Sequence, residues 1–135
     1  MPLFCLEGVV ECDNKFILVR RKKSPAKNKW WFPGGRLFFN EDLVPAVKRI
    51  LKEELGIKKT KSVEIFGVAG SKFKVGYFGL PSHTVNAIFF ARIDNFQAKH
   101  INLDKVNHYD YKWFKNIPKN VSAHIKKFLK LSGFK

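Results

Sequence analysis

Residues 34–57 have the sequence GGRLFFNEDLVPAVKRILKEELGI, and their spacing predicts a helix with defined ends. Asp42 is a favoured N-cap residue, and Pro45 would then lie in the first turn, where its missing N–H does little harm. Gly56 suits the position just past the last turn. The predicted apolar stripe of this helix consists of Leu43, Val47, Ile50 and Leu51.

The same stretch concentrates acidic residues in a basic protein. Glu41, Glu53 and Glu54 fall within residues 41–54, although the whole chain has 26 Lys and Arg against 11 Asp and Glu. Hard divalent cations take oxygen ligands, so the cluster predicts a metal site. A structural alternative stays open, because Arg49 and Glu53 are four residues apart and can pair on the helix, while Glu41 can fix the loop.

The totals indicate one globular domain over residues 1–135. Hydrophobic residues make up 45% of the chain, and no apolar run reaches the roughly 18 residues that a membrane span needs. The first six residues lack the features of a signal peptide, so a cytoplasmic location is expected. Cys5 and Cys12, if they share a strand, lie roughly 23 Å apart on opposite faces, which predicts reduced thiols.

The net charge of +15 favours a polyanionic ligand such as a nucleotide or a sugar phosphate. The lysines that supply most of this charge are scattered along the chain, which is more typical of a soluble surface than of a nucleic-acid groove. A small phosphorylated substrate is therefore the expected partner.

Periodicity predicts the remaining elements. Strands are expected over residues 3–11, 16–20, 62–69, 84–93 and 109–114, with a tight turn at 13–15. Loops are expected over residues 22–29 and 96–106, and residues 70–83 are predicted to form a hairpin or a loop over the site. After Pro118, an amphipathic helix is predicted to bury Val121, Ile125, Phe128 and Leu129. His124 is assigned to the surface of this helix.

From Gly35 the sequence runs five residues to Glu41 and seven more to Arg49, where RILKEELGI follows. This closely resembles the Nudix box, G-x5-E-x7-R-E-U-x-E-E-x-G-U with U aliphatic. Ile50 is the one mismatch at a fixed position, because the box has Glu there. The resemblance implies an α/β (α+β) Nudix fold, a mixed sheet between helices, and hydrolysis of a nucleoside diphosphate compound.

The GDP-mannose mannosyl hydrolase branch of that family also has an apolar residue at the position of Ile50. The segment HYDYKW, residues 108–113, resembles the His-Asp-Asp-Tyr-Arg-Trp stretch of the branch, and residues 16–36 resemble its hairpin and approach segment. The resemblance implies that water attacks the anomeric carbon of GDP-mannose or GDP-glucose and releases GDP plus sugar. It also implies a possible homodimer.

The resemblance further implies a magnesium site, with Mn²⁺ as a possible substitute. Glu54 is the first candidate ligand, together with the Gly35 carbonyl, and Glu53 and Asn107 are further candidates. Asn107 stands where the branch has Gln, and its side chain is one methylene shorter.

The resemblance also implies which residues take part in catalysis. His108 would deprotonate water, Arg21 with Arg20 would stabilise the departing diphosphate, and Glu7 would support charge at the sugar. Arg36, Arg21 and Trp30 are candidates for binding the substrate. Tyr109 replaces an Asp of the branch beside the proposed base.

Two alternatives remain open at this point. A pyrophosphatase that cleaves between phosphates is favoured by the presence of both Glu53 and Glu54. A module that binds RNA without turnover is favoured by the +15 charge and by Ile50.

Overall fold

The computed structural model describes residues 2–24, 26–74 and 80–135. The strands, numbered in chain order, are β1 Leu3–Cys12, β2 Lys15–Arg21, β3 Trp30–Trp31, β4 Gly34–Arg36, β5 Ser62–Phe73, β6 Ser82–Arg92 and β7 His108–Phe114. The helices are α1 Leu43–Leu55, α2 Asn95–Lys99 and α3 Ala123–Leu131. No helix within these residues is both long enough and apolar enough to cross a bilayer.

The seven described strands form one mixed sheet in which β1 is central. A turn at Asp13 and Asn14, both with positive φ, joins β1 to β2 as an antiparallel hairpin, as the sequence predicts. The other edge of β1 pairs in parallel with β6, and β6 pairs with β5. The strands β3 and β7 both pair with β2.

The short strand β4, which consists of the GGR segment, pairs with the start of β1. Leu6 pairs with Gly35, and Glu7 pairs with Gly34. A Cβ on Gly34 would lie 2.6 Å from the Leu6 carbonyl oxygen, so only glycine allows this approach. Sequence analysis did not predict this strand, because three residues show no periodicity.

Helix α1 begins after Asp42 and ends at Gly56, whose φ of 69° is left-handed, as predicted. The Asp42 side chain makes no capping hydrogen bond. Val47, Ile50 and Leu51 are buried as expected. The prediction for Leu43 is wrong, because this residue is 37% exposed. The helix buries Ala46 and Leu55 in its place.

The sheet lies between helices on its two faces, which confirms the predicted fold class. One core cluster joins α1 to Leu6, Val10 and Phe89. The other joins α3 to Val9, Phe16 and Ile88. The four residues predicted to be buried on the terminal helix are all buried, although Val121 precedes α3 and its N-cap Ser122. Cys5 and Cys12 are buried free thiols on β1, also as predicted.

The expectation for one loop is wrong, and the hairpin predicted as one form of residues 70–83 is confirmed for its described strands. Residues 96–106 were expected to be a loop, but α2 occupies part of them because Asp94 caps the amide of Gln97 at 2.9 Å. In the predicted hairpin or loop at residues 70–83, β5 and β6 continue to the pair Phe73 and Ser82. Residues 75–79 of that segment lie outside the described residues.

Candidate active site

A cavity of about 190 Å³ lies where β4, the start of β1 and the start of β7 meet the C-terminal end of α1. Its charged lining includes both acids and bases. These residues are Glu7, Arg21, Arg36, Glu54 and His108, and Asn107 lies beside them. Six of the residues predicted from the sequence, together with Gly35, therefore line one cavity.

Glu54 and His108 meet at one end of this cavity. The His108 Nε2 lies 2.7 Å from a Glu54 carboxylate oxygen, and His108 is 1% exposed. Backbone hydrogen bonds fix the pair, because the amide of Asp104 donates to the Glu54 carbonyl and the amide of His108 donates to the Asp104 carbonyl. Within the described residues, the buried His108 Nδ1 has no hydrogen-bond partner.

Residues with oxygen atoms suited to a divalent ion line the same cavity as Glu54. Its second carboxylate oxygen accepts no hydrogen bond from the described residues. Asn107 lines the same cavity, and its amide nitrogen donates to Asp104 at 2.7 Å, which leaves the carboxamide oxygen available. Burial would raise the pKa of Asp104, yet hydrogen bonds from Asn107 and from the amide of Val106 outweigh it and lower that pKa.

These oxygen atoms suit a divalent ion that is bound partly by the phosphates of a substrate better than an ion that is bound by protein side chains alone. Across the described part of the chain, no three His, Cys, Asp or Glu side chains are grouped so that they could hold a metal. Mg²⁺ commonly binds through one or two carboxylates, substrate phosphates and waters, so a carboxylate with neighbouring carbonyl oxygens suffices. The donor set is compatible with such an ion.

Arg49 engages the other two acids of the box. It contacts Glu41 at 2.6 Å and Glu53 at 3.1 Å, and it donates to the Arg36 carbonyl at 2.7 Å. Its guanidinium also lies 3.8 Å from the centre of the Phe38 ring. The hydrogen bond from Arg49 lowers the pKa of Glu41. The structural ion pair proposed for Arg49 and Glu53 is present, and neither Glu41 nor Glu53 lines the cavity.

The two neighbouring arginines of β2 point to different environments. The register of β2 against β7 shifts between Arg20 and Arg21, so Arg20 pairs with Asp110 and Arg21 with His108. The Arg20 guanidinium makes two hydrogen bonds to the Asp110 carboxylate, at 3.1 and 3.2 Å. Arg21 lines the cavity, and Arg20 does not.

Glu7, which is 6% exposed, also lines the cavity. Its two carboxylate oxygens face the Trp31 Nε1 at 2.6 Å and the His124 Nε2 at 2.9 Å. The surface position expected for His124 is therefore wrong. The side chain of His124 is 17% exposed, and its ring stacks on Trp31 with centroids 5.6 Å apart.

Trp31, rather than Trp30, lines the cavity. Trp30 packs edge to face on Phe114, with ring centroids 5.5 Å apart. Adjacent residues of a strand point to opposite faces, so one of the pair had to be turned away from the site. The sequence offered no signal for which of the two this would be.

A polar wall from β5 and β6 faces the aromatic side of the cavity. Asn86 is buried and donates to Thr84 Oγ1 at 3.1 Å and Ser71 Oγ at 3.3 Å. These three residues line the cavity, and sequence analysis did not identify them. Buried amides on an apolar strand, such as Asn86 in residues 84–93, are the signal that could have found them, because a buried polar group needs a partner.

Comparison with known proteins gives the chain a family context. The NUDIX domain profile matches residues 8–117. The ADP-ribose pyrophosphatase of Methanocaldococcus jannaschii is 41% identical over 63 residues, which are 46% of this chain and 37% of that protein. The low-salt glycan biosynthesis protein Agl8 of Haloferax volcanii is 37% identical over 60 residues, 44% of this chain and 38% of that protein. The matches thus span less than half of these curated relatives.

A crystal structure of a MutT NUDIX hydrolase from Burkholderia pseudomallei superposes with a TM-score of 0.69 at 20% identity. The match covers 96% of this chain and 97% of that one. At this identity the likeness shows that the fold is shared.

Proposed function

The chain belongs to the NUDIX domain family, and from this premise we propose that it is a metal-dependent hydrolase of a nucleoside diphosphate sugar. The proposed substrate is GDP-mannose or GDP-glucose, and the proposed products are GDP and the free sugar. Water attacks the anomeric carbon in this reaction, so the bond between that carbon and the β-phosphate oxygen breaks.

The contact between Glu54 and His108 carries the proposal. It places a carboxylate with an available oxygen and an imidazole at the same end of one cavity, beside Gly35 and Asn107. This imidazole is 1% exposed and has one ring nitrogen without a hydrogen-bond partner among the described residues, which is costly to keep. Such groups are found disproportionately at functional sites.

Glu54, the Gly35 carbonyl and the Asn107 carboxamide are the residues that would hold Mg²⁺ or Mn²⁺. Glu53 is a weaker candidate, because Arg49 binds its carboxylate and its side chain is 60% exposed. A divalent ion, when bound, supplies positive charge that stabilises the departing diphosphate.

His108 is the proposed general base. With Glu54 ionised, the Nε2–H of His108 donates to the carboxylate, so Nδ1 carries the lone pair that accepts the proton of water. Because Nδ1 is enclosed in this state, the proposal requires the start of β7 to open when the substrate enters. Glu54 then also orients the imidazole.

The arginines and Glu7 complete the proposed reaction. Arg21 and Arg36 line the cavity, where a guanidinium can bind phosphate oxygens and stabilise the charge that develops on GDP. Arg20 supports them from outside, by fixing β7 through Asp110. Glu7 faces the sugar and supports positive charge at its anomeric carbon. Trp31 is the tryptophan that contacts the substrate in this proposal, in place of Trp30, which was the candidate from the sequence.

A second candidate function is cleavage between the two phosphates. It is favoured by the name of one relative, an ADP-ribose pyrophosphatase that is 41% identical over 63 residues. ADP-ribose also joins a nucleoside diphosphate to a sugar, but through the 5-oxygen of the ribose, so only cleavage between the phosphates can act on it. The products distinguish the two candidates, because only the second candidate releases a nucleoside monophosphate.

The variant Glu54→Gln tests the metal assignment. We expect it to fold normally and to lose turnover by at least roughly a hundredfold at saturating magnesium, because the carboxylate charge is lost. Glu64→Gln is the matched control, since Glu64 is an exposed acid on β5 outside the cavity. Turnover by Glu54→Gln equal to that of the control would refute the assignment.

A further inference from the structure

Glu7, Trp31 and His124 form a partly buried polar unit from three separate parts of the chain. Both carboxylate oxygens of Glu7 are contacted, one by the indole N–H of Trp31 and the other by His124 Nε2. The distances of 2.6 and 2.9 Å are in the range of hydrogen bonds to a charged acceptor. A 6% exposed carboxylate needs such donors, because burial of an unpaired charge is unfavourable.

The His124 side chain is held more firmly than a surface helix residue would be. It lies parallel to the Trp31 ring, at an interplanar angle of 17°, and meets the edges of Phe32 and Phe128 with centroid distances of 6.2 and 5.3 Å. It therefore contacts Glu7 through its nitrogen and Trp31 through its ring face. Both contacts fix groups that line the cavity, although His124 itself does not line it.

Two members of this unit lie outside the span that matches the family profile. The profile covers residues 8–117, whereas Glu7 precedes it and His124 follows it on α3. The packing of α3 against the sheet brings them together across 117 positions of sequence. The unit is thus a feature of this chain that the family match does not describe.

We propose that His124 is a positioning residue that fixes Glu7 and Trp31 in the lining of the cavity. There these two residues bind the hydroxyl-bearing sugar of the substrate. The proposal rests on the proposed function for the identity of the substrate. A carboxylate can accept about four hydrogen bonds, so Glu7 keeps acceptor capacity for sugar hydroxyls after Trp31 and His124 are satisfied. Fixing the carboxylate in advance lets it act on the sugar without reorganisation.

Two variants at position 124 separate positioning from packing. His124→Leu removes the donor, whereas His124→Gln keeps one, because its amide nitrogen is as many bonds from the backbone as Nε2. We expect His124→Leu to lower kcat/KM for the nucleotide sugar roughly tenfold and His124→Gln to remain within about threefold of the original chain. His100→Leu is the control, since the hydrogen bond and the ring contact of the His100 side chain are both with Phe96, away from the cavity.

A double-mutant cycle tests whether the effect passes through Glu7. In a Glu7→Gln background, His124→Leu should change kcat/KM less than about twofold, because the group that it positions is already altered. An equal loss in both backgrounds would overturn the proposal, since it would mean that His124 acts independently of Glu7.

Hydrogen exchange of the Trp31 indole N–H supplies a measurement that does not depend on turnover. The signal is assigned with Trp31→Phe and followed by ¹H–¹⁵N NMR at one pH. We expect His124→Leu to accelerate exchange roughly tenfold and His124→Gln to preserve protection. If the original chain hydrolyses no nucleotide sugar, the proposed function fails, and this measurement still tests positioning. Unchanged protection in His124→Leu would overturn the proposal.

Discussion

Replacing Ile50 by Glu would restore the acid that the Nudix box has at this position. Ile50 is 1% exposed on the inward face of α1, within the core cluster that includes Leu6 and Val47. It also lies under Gly35, where an added Cβ would come within 3.1 Å of the Ile50 side chain. Position 50 is therefore part of the hydrophobic core, and Ile50→Glu should destabilise the fold.

The size of the effect follows from two contributions. Loss of the buried isoleucine costs about 1.5–3 kcal/mol. Keeping the new carboxyl protonated at pH 7 costs about 4 kcal/mol, since an ordinary Glu has a pKa of about 4.3 and each pKa unit corresponds to about 1.4 kcal/mol. At pH 5 the second contribution falls to about 1 kcal/mol. The total of about 6 kcal/mol at pH 7 is comparable with the whole stability of a small domain.

Urea denaturation at pH 7 and pH 5 measures this difference. The native state of Ile50→Glu retains a proton that the unfolded state loses, so its deficit in unfolding free energy should shrink by about 3 kcal/mol as the pH falls. Ile50→Gln has nearly the same shape without the charge, and its deficit should not depend on pH. Ile50→Glu with near-normal stability at both pH values would show that the side chain reaches water or an ion, which would refute the assignment of position 50 to the core.

Two further predictions concern groups whose pKa is shifted. Arg49→Met should lower the thermal midpoint, because it removes the ion pair that holds Glu41 and its loop against α1. Arg49 lowers the pKa of Glu41, so this stabilisation is present above the ordinary pKa of Glu and is lost as the pH falls through the lowered value. The difference in thermal midpoint between the two proteins should therefore narrow in acid. Equal gaps at neutral and acid pH would contradict it. Burial, together with the charges of Asp13 and Glu11, raises the pKa of the Cys12 thiol. At pH 8, iodoacetamide should therefore label Cys12 at least roughly tenfold more slowly in the native chain than in the urea-unfolded chain. Equal labelling rates would contradict the burial of this thiol.

The elements that sequence analysis located are those that local rules determine. The β1–β2 hairpin follows from Asp13 and Asn14, which tolerate positive φ, and the end of α1 follows from Gly56, although Asp42 at its start makes no capping hydrogen bond. The burial of α3 follows from its 3.6-residue spacing. The NUDIX family was predicted from the spacing of the box, and the profile match confirms it.

The features that sequence analysis missed depend on contacts between distant residues. His124 has the spacing of a surface residue, and only the approach of α3 to the start of β1 brings it to Glu7. The shift of register in β2 separates Arg20 from Arg21, although the two are chemically identical neighbours. The roles proposed for Asn107, Arg36 and the other residues of the cavity remain predictions.

The bond that breaks is the central claim of the proposed function. The most direct measurement is hydrolysis of GDP-mannose with magnesium in oxygen-18 water, followed by phosphorus NMR of the products. We predict GDP without oxygen-18 in its phosphates, because the oxygen of water goes to the sugar. Labelled GMP or labelled mannose 1-phosphate would contradict attack at the anomeric carbon and would assign the protein to the pyrophosphatase chemistry instead.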